Sequence, residues 1–419
     1  MSNNKRVIDF KKNKIKRQRN DLFANILTYL SAGLATSVLI AVFIFIFSRG
    51  FSSLSWEMVR NDYWSQNYIA EFTELPETEF ERPADLDENI AWSQKLGVAL
   101  VNSLDENRHP LVTIDYIAPD NAFDNAIIMT RGEQFEQPVG NMFKNNLTRV
   151  TLLQDGDRVN VGSQARTDAF EVAQAIDSSE EIVSIFYQTP GGGIWGSLIS
   201  TLILIGISLL ISLPIGISAA IYLHEYANPN SKITQFMRSS IEMLAGVPSI
   251  IFGLMGVAVL FPITALLGAN TLSILLGGIT MAVMLLPIVI RQSEESLIVV
   301  PDGLRNASLS LGATETQTIF KVVLPSALPG IISAVLLAVS RVIGESAALI
   351  YTMGTAISDN PRILQGATTL AVQIWSIMGG EQPNFELASA ISIIILIVVL
   401  GLNITVKVIT GRLNRKWDA

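Results

Sequence analysis

Hydrophobic residues are gathered into six long runs along this chain, and the segments between the runs are polar. Each run approaches the roughly 20 apolar residues that a helix needs to cross the hydrocarbon core of a bilayer. The runs lie at 22–48, 194–223, 241–265, 271–290, 328–352 and 386–410. The pattern predicts an all-α polytopic membrane bundle of six transmembrane helices. The first run is long and lacks a small-residue cleavage site, so we interpret it as an anchor and not as a signal peptide.

The segment between the first two runs has a different periodicity. Short alternating stretches predict strands, and one stretch has the spacing of an amphipathic helix. The predicted strands are 111–117, 126–130, 149–154 and 182–187, and the predicted helix is 167–176. We therefore expect a small α+β domain inserted between the first and second spans. Because the chain contains no Cys, this domain must form its core without disulfides.

The polar segment 301–325 lies between two apolar runs and has a helix–turn–helix pattern. Its first proline suits the start of a helix, and Gly312 suits a helix end in the left-handed conformation. Thr314 and Gln317 have the spacing of a capping box, which predicts that a second helix begins there and ends at the closing Leu-Pro pair. An ordinary surface loop is the alternative interpretation. We call this segment the 301–325 hairpin.

Charge adds an orientation to the predicted helices. Eight Lys and Arg residues precede the first apolar run, and the C-terminal segment is also basic. Because positive residues favour the cytoplasmic side of a membrane, we expect both termini and the 301–325 hairpin to be cytoplasmic. The same rule is our interpretation of Arg291 and Arg305. The predicted organisation is a basic cytoplasmic tail at 1–21, a transmembrane helix at 22–49, an acidic extracytoplasmic domain at 50–193, a membrane core at 194–410 with a cytoplasmic loop at 291–327, and a cytoplasmic tail at 411–419.

The net charge of −8 conceals an asymmetry between segments. Segment 50–193 holds 24 Asp and Glu residues against 9 Lys and Arg residues, and the rest of the chain is net basic. A strongly acidic surface does not collect anions over long range. If the chain acts on an anion, we expect this domain to be a docking or structural element and not a capture site.

Two charged residues interrupt the fifth apolar run. Arg341 and Glu345 are four residues apart, so we expect them on one face of a helix, close to Ser346. A charge near the middle of a bilayer is costly, and such residues usually face a partner or a water-filled path. One interpretation is that the two charges neutralise each other and help to pack the bundle. The other is that Arg341, Glu345 and Ser346 line a translocation path, because an Arg side chain presents a fork of donors to an oxyanion.

The sequence contains no motif for catalysis. It has no Gly-x-x-x-x-Gly-Lys-Ser/Thr run for nucleotide phosphates and no recognisable nucleophile–base arrangement. Its two His residues, His109 and His224, are far apart and have no clustered carboxylates at metal-binding spacing. We therefore expect a non-catalytic membrane subunit without a cofactor or metal, which takes its energy from a separate subunit.

The 301–325 hairpin resembles the cytoplasmic loop of bacterial ABC import permeases. That loop reads Glu-Ala-Ala, three residues, Gly, nine residues, Ile-x-Leu-Pro, and the matching residues here are Asn306, Ala307, Gly312, Leu324 and Pro325. Asn306 stands where the family has Glu, and Ser308 stands where it has the second Ala. The resemblance implies that the hairpin forms coupling helices, which in the family sit in a groove of the ATP-hydrolysing subunit.

The fifth run is similar to that of phosphate-specific permeases of the PstA type. The residues that match the family pattern Arg-x-x-Gly-Glu-Ser/Thr-Ala are Arg341, Gly344, Glu345, Ser346 and Ala347. The Gly-Val-Pro-Ser run at 246–249 also matches. The resemblance covers about half of the chain. It implies a multi-pass permease of the bacterial inner membrane that imports inorganic phosphate, with Arg341 and Glu345 in the phosphate path.

The resemblance also implies partners. These are a homologous permease subunit that completes a heterodimer, two ATP-binding subunits and an extracytoplasmic phosphate-binding protein, with membrane lipid around the complex. Two alternatives stay open. One is a permease for another oxyanion, such as sulfate or molybdate, on the same scaffold. The other is a membrane signalling or scaffold subunit for phosphate sensing, with the 50–193 domain as its sensor.

Overall fold

The structure, a computed structural model, describes residues 2–417 apart from 73–78, 85, 88, 105–109, 133 and 380–382. His109, which was weighed above as a metal ligand, lies outside the described residues. The chain divides into two compact units. The helical unit comprises Met1–Ser55 and Gly196–Ala419, and the sheet unit is Trp56–Trp195.

Helices dominate the helical unit, and two more lie in the sheet unit. In chain order they are α1 Ser2–Gly50, α2 Trp56–Arg60, α3 Ala169–Ser178, α4 Trp195–Ile221, α5 Lys232–Ala245, α6 Ser249–Met255, α7 Phe261–Leu266, α8 Ile274–Ile298, α9 Asp302–Ser310, α10 Glu315–Thr318, α11 Leu324–Gly344, α12 Ala347–Thr352, α13 Leu370–Met378 and α14 Phe385–Trp417. π-helical turns at Tyr222–Tyr226, Gly256–Leu260 and Ile319–Val323 continue α4, α6 and α10.

The sheet unit is built on one antiparallel sheet. Its strands are β1 Asn67–Phe72, β2 Ala91–Ser93, β3 Val98–Leu104, β4 Pro110–Ile117, β5 Ala126–Ile128, β6 Asn146–Gln154, β7 Asp157–Val161 and β8 Glu181–Gln188. Their order in the sheet is β2-β3-β4-β6-β8-β1-β5, and β7 pairs with β6. The four predicted strands are confirmed as β4, β5, β6 and β8. The other four strands were not predicted, because β2 is short and the apolar alternation of β1 and β7 is weak.

One helix covers the sheet, as the sequence pattern predicts. Asp168 caps α3, accepting a hydrogen bond from the Glu171 N–H at 2.9 Å, and the Glu171 carboxylate completes a capping box. Val172 and Ile176, one turn apart on α3, are fully buried with Ile185 of β8 in a single apolar core. Burial of this apolar helix face stabilises the domain, which contains no disulfides.

Six segments of the described chain are helices long and apolar enough to cross a membrane. They are Asp21–Gly50, Trp195–Tyr226, Ser249–Leu266, Ile274–Ile298, Glu315–Gly344 and Phe385–Val408. The six predicted spans are thereby confirmed in number, and their bounds shift. The basic segment predicted as a tail is helical from Ser2 and continuous with the first span, and α14 likewise continues to Trp417.

The third predicted span, 241–265, is wrong at its beginning. The chain breaks between α5 and α6, and the apolar span is Ser249–Leu266. Pro248 has no N–H to donate and disfavours the helical conformation of the residue before it. Pro248 itself is extended, with φ −59° and ψ 141°. The amphipathic α5 is therefore a separate helix that packs against α8.

The fifth predicted span, 328–352, is wrong at both ends. Helix α11 begins at Leu324 as a continuation of α10 and ends at Gly344, so the span is Glu315–Gly344. The loop predicted at 291–327 is correspondingly shorter, because α8 extends to Ile298. Pro325 lies in the first turn of this helix and Pro329 within it, and proline is tolerated in membrane helices where neighbouring groups satisfy the freed carbonyl.

Helix α8 forms the centre of the helical unit. It is apolar around most of its circumference, a pattern typical of a helix buried on all sides. Leu276, Met281, Leu285 and Val289 are fully buried, and α11, α12, α6 and α5 all pack against α8. The elements that carry the candidate site residues are thus anchored to one common helix.

Candidate functional site

The backbone leaves the helical conformation between α11 and α12. Glu345 is extended, with φ −80° and ψ 130°, and Ser346 follows with φ −128° and ψ −42°. Arg341 lies in the last turn of α11, Glu345 is the residue that ends this helix, and the two side chains pair at the i, i+4 spacing, so the prediction that they share one helical face is confirmed. Glu345 also caps the next helix: its Oε1 accepts a hydrogen bond from the Ala348 N–H at 3.3 Å. A carboxylate at a helix N-terminus is stabilised by the unpaired N–H groups there.

Arg341 and Glu345 form an ion pair at the end of α11. Arg341 Nη2 lies 3.5 Å from Glu345 Oε2. The Arg341 side chain is 48% exposed, whereas that of Glu345 is 7% exposed. The space beside the break is also open, because a Cβ atom built on Gly344 would meet no atom within 4 Å. Among the described residues, the ion pair with Glu345 is a single contact, and at this distance it is not bidentate.

At this break the Glu345 carboxylate, an acceptor, is buried, and the Arg341 guanidinium, a donor, is exposed. Ser346 is half-buried at the same turn, and its hydroxyl does not cap α12. The three residues proposed from the sequence are brought together here. Chemically, the arrangement offers an oxyanion a cationic fork and a neighbouring hydroxyl, while the carboxylate holds the Arg in place.

The 301–325 hairpin has the predicted turn and caps. Pro301 precedes α9 as its cap residue, and Gly312 has φ +87°, the left-handed conformation that favours Gly. The Thr314 hydroxyl accepts from the Gln317 N–H at 3.2 Å, and the Gln317 side chain accepts from the Thr314 N–H at 3.1 Å. The helix–turn–helix prediction is confirmed, and the alternative of an ordinary loop is wrong.

The end of this hairpin differs from the prediction. We expected Leu324-Pro325 to close the second helix, but both residues lie at the start of α11, within one helix that continues from Glu315. The π-turn Ile319–Val323 lets the helix pass Pro325: the Leu324 N–H donates to Ile319 O, five residues back. A shift of the hairpin is therefore a shift of the fifth span itself.

The outward side of the hairpin is open. Asn306, Ala307 and Gly312 are exposed, and none of the side chains of α9 is buried. The large apolar side chain of Leu311 is 91% exposed at the turn. The Ser308 hydroxyl, at a position where the family pattern has Ala, lies 2.9 Å from the Thr318 hydroxyl and ties α9 to α10. The hairpin is thus a stiff unit with an uncovered apolar tip.

Arg305 joins α9 to the ends of two long helices. Its Nη2 donates to Glu225 Oε1 at 2.8 Å, in the π-turn after α4, and to Leu297 O at 3.2 Å, near the end of α8. Its Nη1 donates to Val300 O at 3.0 Å and to Asp302 Oδ1 at 3.2 Å. The Arg305 side chain is 17% exposed. One guanidinium group therefore fixes the position of the hairpin relative to α4 and α8.

This role of Arg305 was not predicted from the sequence. Positive-inside bias accounts for a basic residue near the membrane, but not for its burial against Glu225 and His224, whose Nε2 lies 3.4 Å from Arg305 Nη2. The partners are about 80 residues away along the chain, so no local spacing connects them. Arg291 is different: it is 70% exposed and pairs with Glu295 on its own helix, which agrees with a solvated surface.

Among the described residues, no group of three or more His, Cys, Asp and Glu side chains is placed to hold a metal ion.

Comparison with known proteins places these features in a family. Residues 212–419 match the family model described as "Binding-protein-dependent transport system inner membrane component". The chain is 34% identical over 244 residues to "Probable ABC transporter permease protein YqgI" of Bacillus subtilis, covering 55% of this chain and 81% of that protein. It is 34% identical over 224 residues to "Phosphate transport system permease protein PstA 1" of Mycobacterium tuberculosis, covering 52% of this chain and 70% of that protein.

A solved structure of the MetNI methionine ABC transporter, in an inward-facing conformation, is also similar. Its chain is 24% identical, with a TM-score of 0.42, and the match covers 53% of this chain and 94% of that chain. The family match lies in the helical unit, where the 301–325 hairpin and the break after α11 also lie. This chain therefore belongs to the ABC importer permeases of the PstA type, which are the membrane components of binding-protein-dependent transport systems.

Proposed function

We propose that this chain is one of two permease subunits of an ATP-driven importer of inorganic phosphate. The observation that carries the proposal is the exposed Arg341 beside Glu345 at the break between α11 and α12. ABC permeases are transport components whose ATPase is a separate subunit, and the sequence contains no P-loop.

The surroundings of Arg341 favour a path over a packing role. Half of its side chain is exposed in a unit of apolar helices. Exposure of that charge to lipid is costly, so it faces a partner subunit or water in the assembled complex. An Arg that served only to neutralise Glu345 would be expected to bury its donors with the carboxylate.

The choice of phosphate rests on the relatives. The Mycobacterium tuberculosis protein is named as a phosphate transport permease, and so is a relative from Mycobacterium leprae that is 34% identical over 216 residues. Phosphate is thus proposed as the substrate from Arg341, Glu345 and Ser346 together with the names of these relatives. The arrangement of the helices does not distinguish between substrates.

Energy enters at the 301–325 hairpin in this proposal. Its exposed residues Asn306, Ala307 and Gly312 and the apolar tip Leu311 contact an ATP-binding subunit. Closure of two ATP-binding subunits pushes the hairpin, and the continuous helix through Leu324 and Pro325 carries that push to Arg341. A homologous permease subunit supplies the other half of the path, and an extracytoplasmic phosphate-binding protein delivers the ion.

The proposed location is the bacterial inner membrane, with both termini in the cytoplasm. The basic segment 1–21, the hairpin and the tail 411–419 lie on that side, and the acidic segment 50–193 lies outside the membrane on the other. The membrane core extends over 194–410. This arrangement places the hairpin on the side where ATP is available.

Uptake of labelled phosphate at low external concentration tests the proposal. Cells that lack this chain are expected to lose uptake and to regain it when the chain is restored. Excess unlabelled sulfate or molybdate should leave uptake unchanged. Competition by either anion would reassign the substrate. Unchanged phosphate uptake in the deletion strain, together with altered expression of phosphate-regulated genes, would support the sensing role instead.

A further inference from the structure

A cleft in the sheet unit has no part in the proposed transport path. It encloses about 490 Å³, within the range of roughly 300–1,000 Å³ that is typical of small-molecule sites. Its walls come from α2 and the residues after it, from β1, from the end of β8 and from the 134–145 loop before β6. Four separate parts of the unit thus converge on one concave surface.

Two buried polar side chains form the floor of the cleft. Tyr187 is 4% exposed and Asn145 is 5% exposed, and both line the cavity. Within the described residues, the Tyr187 hydroxyl has no hydrogen-bond partner. Among the described residues, the Asn145 side chain donates to the Met142 sulfur alone, at 3.4 Å, and sulfur is a weak acceptor. Both polar groups line the cleft, so they are available to hydrogen-bond to a ligand bound there.

The walls of the cleft are rich in carboxamides and aromatic rings. The carboxamides that line it are Asn61, Gln66, Gln134, Gln137 and Asn141. A carboxamide both donates and accepts, which matches a ligand hydroxyl that does the same. The Tyr68 ring lies 5.5 Å from the Tyr187 ring, and Phe143 supplies a third aromatic surface. Aromatic rings bury apolar surface, such as the C–H face of a sugar ring.

The charges around the cleft argue against an anionic ligand. Glu57 and Asp62 line it together with Arg60 and Lys144, so acidic and basic residues are balanced. Both bases are engaged, because Arg60 lies over the Trp56 ring at 5.0 Å and Lys144 is paired with Asp115. Burial raises the pKa of Tyr187 to about 12, so its hydroxyl keeps its proton and can donate at neutral pH.

We propose that this cleft binds an uncharged saccharide, held by Tyr187, Asn145 and the surrounding carboxamides. The site is separate from the phosphate path and gives the sheet unit a ligand of its own. It also explains why a strongly acidic domain on an anion transporter carries a polar, charge-balanced cavity.

Equilibrium dialysis of the full chain in lipid nanodiscs tests this proposal. Nanodiscs are needed because alkyl maltoside detergents carry a sugar headgroup that would compete. The probes are radiolabelled N,N′,N″-triacetylchitotriose, which has the chemistry of a cell-wall glycan, and radiolabelled maltotriose, which has that of a free glucan. We expect saturable binding of one of the two, and no competition by inorganic phosphate.

Three variants locate the site. Tyr187→Phe removes one hydroxyl while keeping the ring, and Gln134→Ala removes an exposed carboxamide that cannot affect the core. Each should weaken binding by about five- to tenfold, the effect of one lost hydrogen bond. Tyr116→Phe is the matched control, because Tyr116 packs against Trp92 outside the cleft, and it should bind as the wild type does. Absence of saturable binding of both sugars, or unchanged binding in both Tyr187→Phe and Gln134→Ala, would overturn the proposal.

Discussion

Among single residues, Arg341 matters most to the proposed phosphate path. Its pattern with Glu345 was visible in the sequence, but its exposure was not. The structure places the carboxylate on the cap of α12 and leaves the guanidinium with a single contact at 3.5 Å. Because an Arg within an apolar span is costly, a half-exposed Arg341 is more simply explained by a substrate path than by packing.

Replacing Arg341 tests that explanation. Arg341→Ala should lower labelled phosphate uptake at least about tenfold, because a charge-assisted fork is worth more than one ordinary hydrogen bond. Arg341→Lys should lose less, since it keeps the charge without the fork. Arg291→Ala, at an exposed pair on α8, serves as the control and should transport normally. If Arg341→Ala prevents co-purification with the ATP-binding subunit, the residue packs the bundle instead.

Tyr187 predicts a pH dependence of the sheet unit. Burial raises the pKa of its phenol from about 10 to about 12 in the folded protein, so folding favours the protonated form. The resulting stability is complete below pH 10 and is lost as the pH rises towards 12. The wild type should lose about 2 kcal/mol more unfolding free energy over this interval than Tyr187→Phe. Denaturant titrations at several pH values measure this, and parallel curves for the two proteins would contradict it.

The 301–325 hairpin is attached to three long helices of the helical unit. Its turn and capping box follow from local residue preferences, but its attachment does not. Arg305 ties it to the ends of α4 and α8, and the unbroken helix through Pro325 ties it to α11. The hairpin is thus attached to three long helices, as the proposed coupling role requires.

Loss of Arg305 should therefore uncouple the transporter. Removing one member of a buried charge pair costs about 3–5 kcal/mol, because the other charge is left unpaired. We expect Arg305→Ala to lower phosphate uptake at least tenfold while ATP hydrolysis by the purified complex continues. Lys232→Ala, at an exposed position at the start of α5 and outside the hairpin, is the control and should retain coupling. Wild-type uptake by Arg305→Ala would show that the hairpin is positioned by other contacts.

The molecule as a whole combines a helical unit that matches a transport family with a sheet unit that does not lie within that match. The family match begins at residue 212, so it assigns nothing to Trp56–Trp195. The orientation proposed for this segment rests on the Lys and Arg residues that flank the spans. The proposed saccharide site gives the sheet unit a role independent of phosphate.

The absence of Cys makes the orientation directly testable. A single Cys introduced at exposed Arg158 of β7, or at exposed Asn306 of α9, is the only thiol in the chain. A membrane-impermeant maleimide should label Arg158→Cys from outside the inner membrane of intact cells. Asn306→Cys should be labelled only after that membrane is permeabilised. Labelling of Asn306→Cys in intact cells would reverse the proposed topology.

Much of the architecture was predictable because membrane spans and caps depend on neighbouring residues. The apolar runs, the Thr314–Gln317 capping box and the left-handed Gly312 were all readable locally. The helix bounds were less predictable. Pro248 ends a run of apolar residues that composition alone joins together, and Glu345 leaves its helix because it caps the next one. Such competition between neighbouring elements is not visible in apolar periodicity.

The amino-acid pattern was sufficient for the number of spans, the strands with strong alternation, the hairpin turn and the intramembrane charge pair, because each depends on residues within a few positions. The fold alone decided the exposure of Arg341, the burial of Arg305 against Glu225 and the cleft around Tyr187. These features join residues that are far apart along the chain. No local preference encodes such contacts, because they depend on which surfaces the packed elements bury and which they leave open.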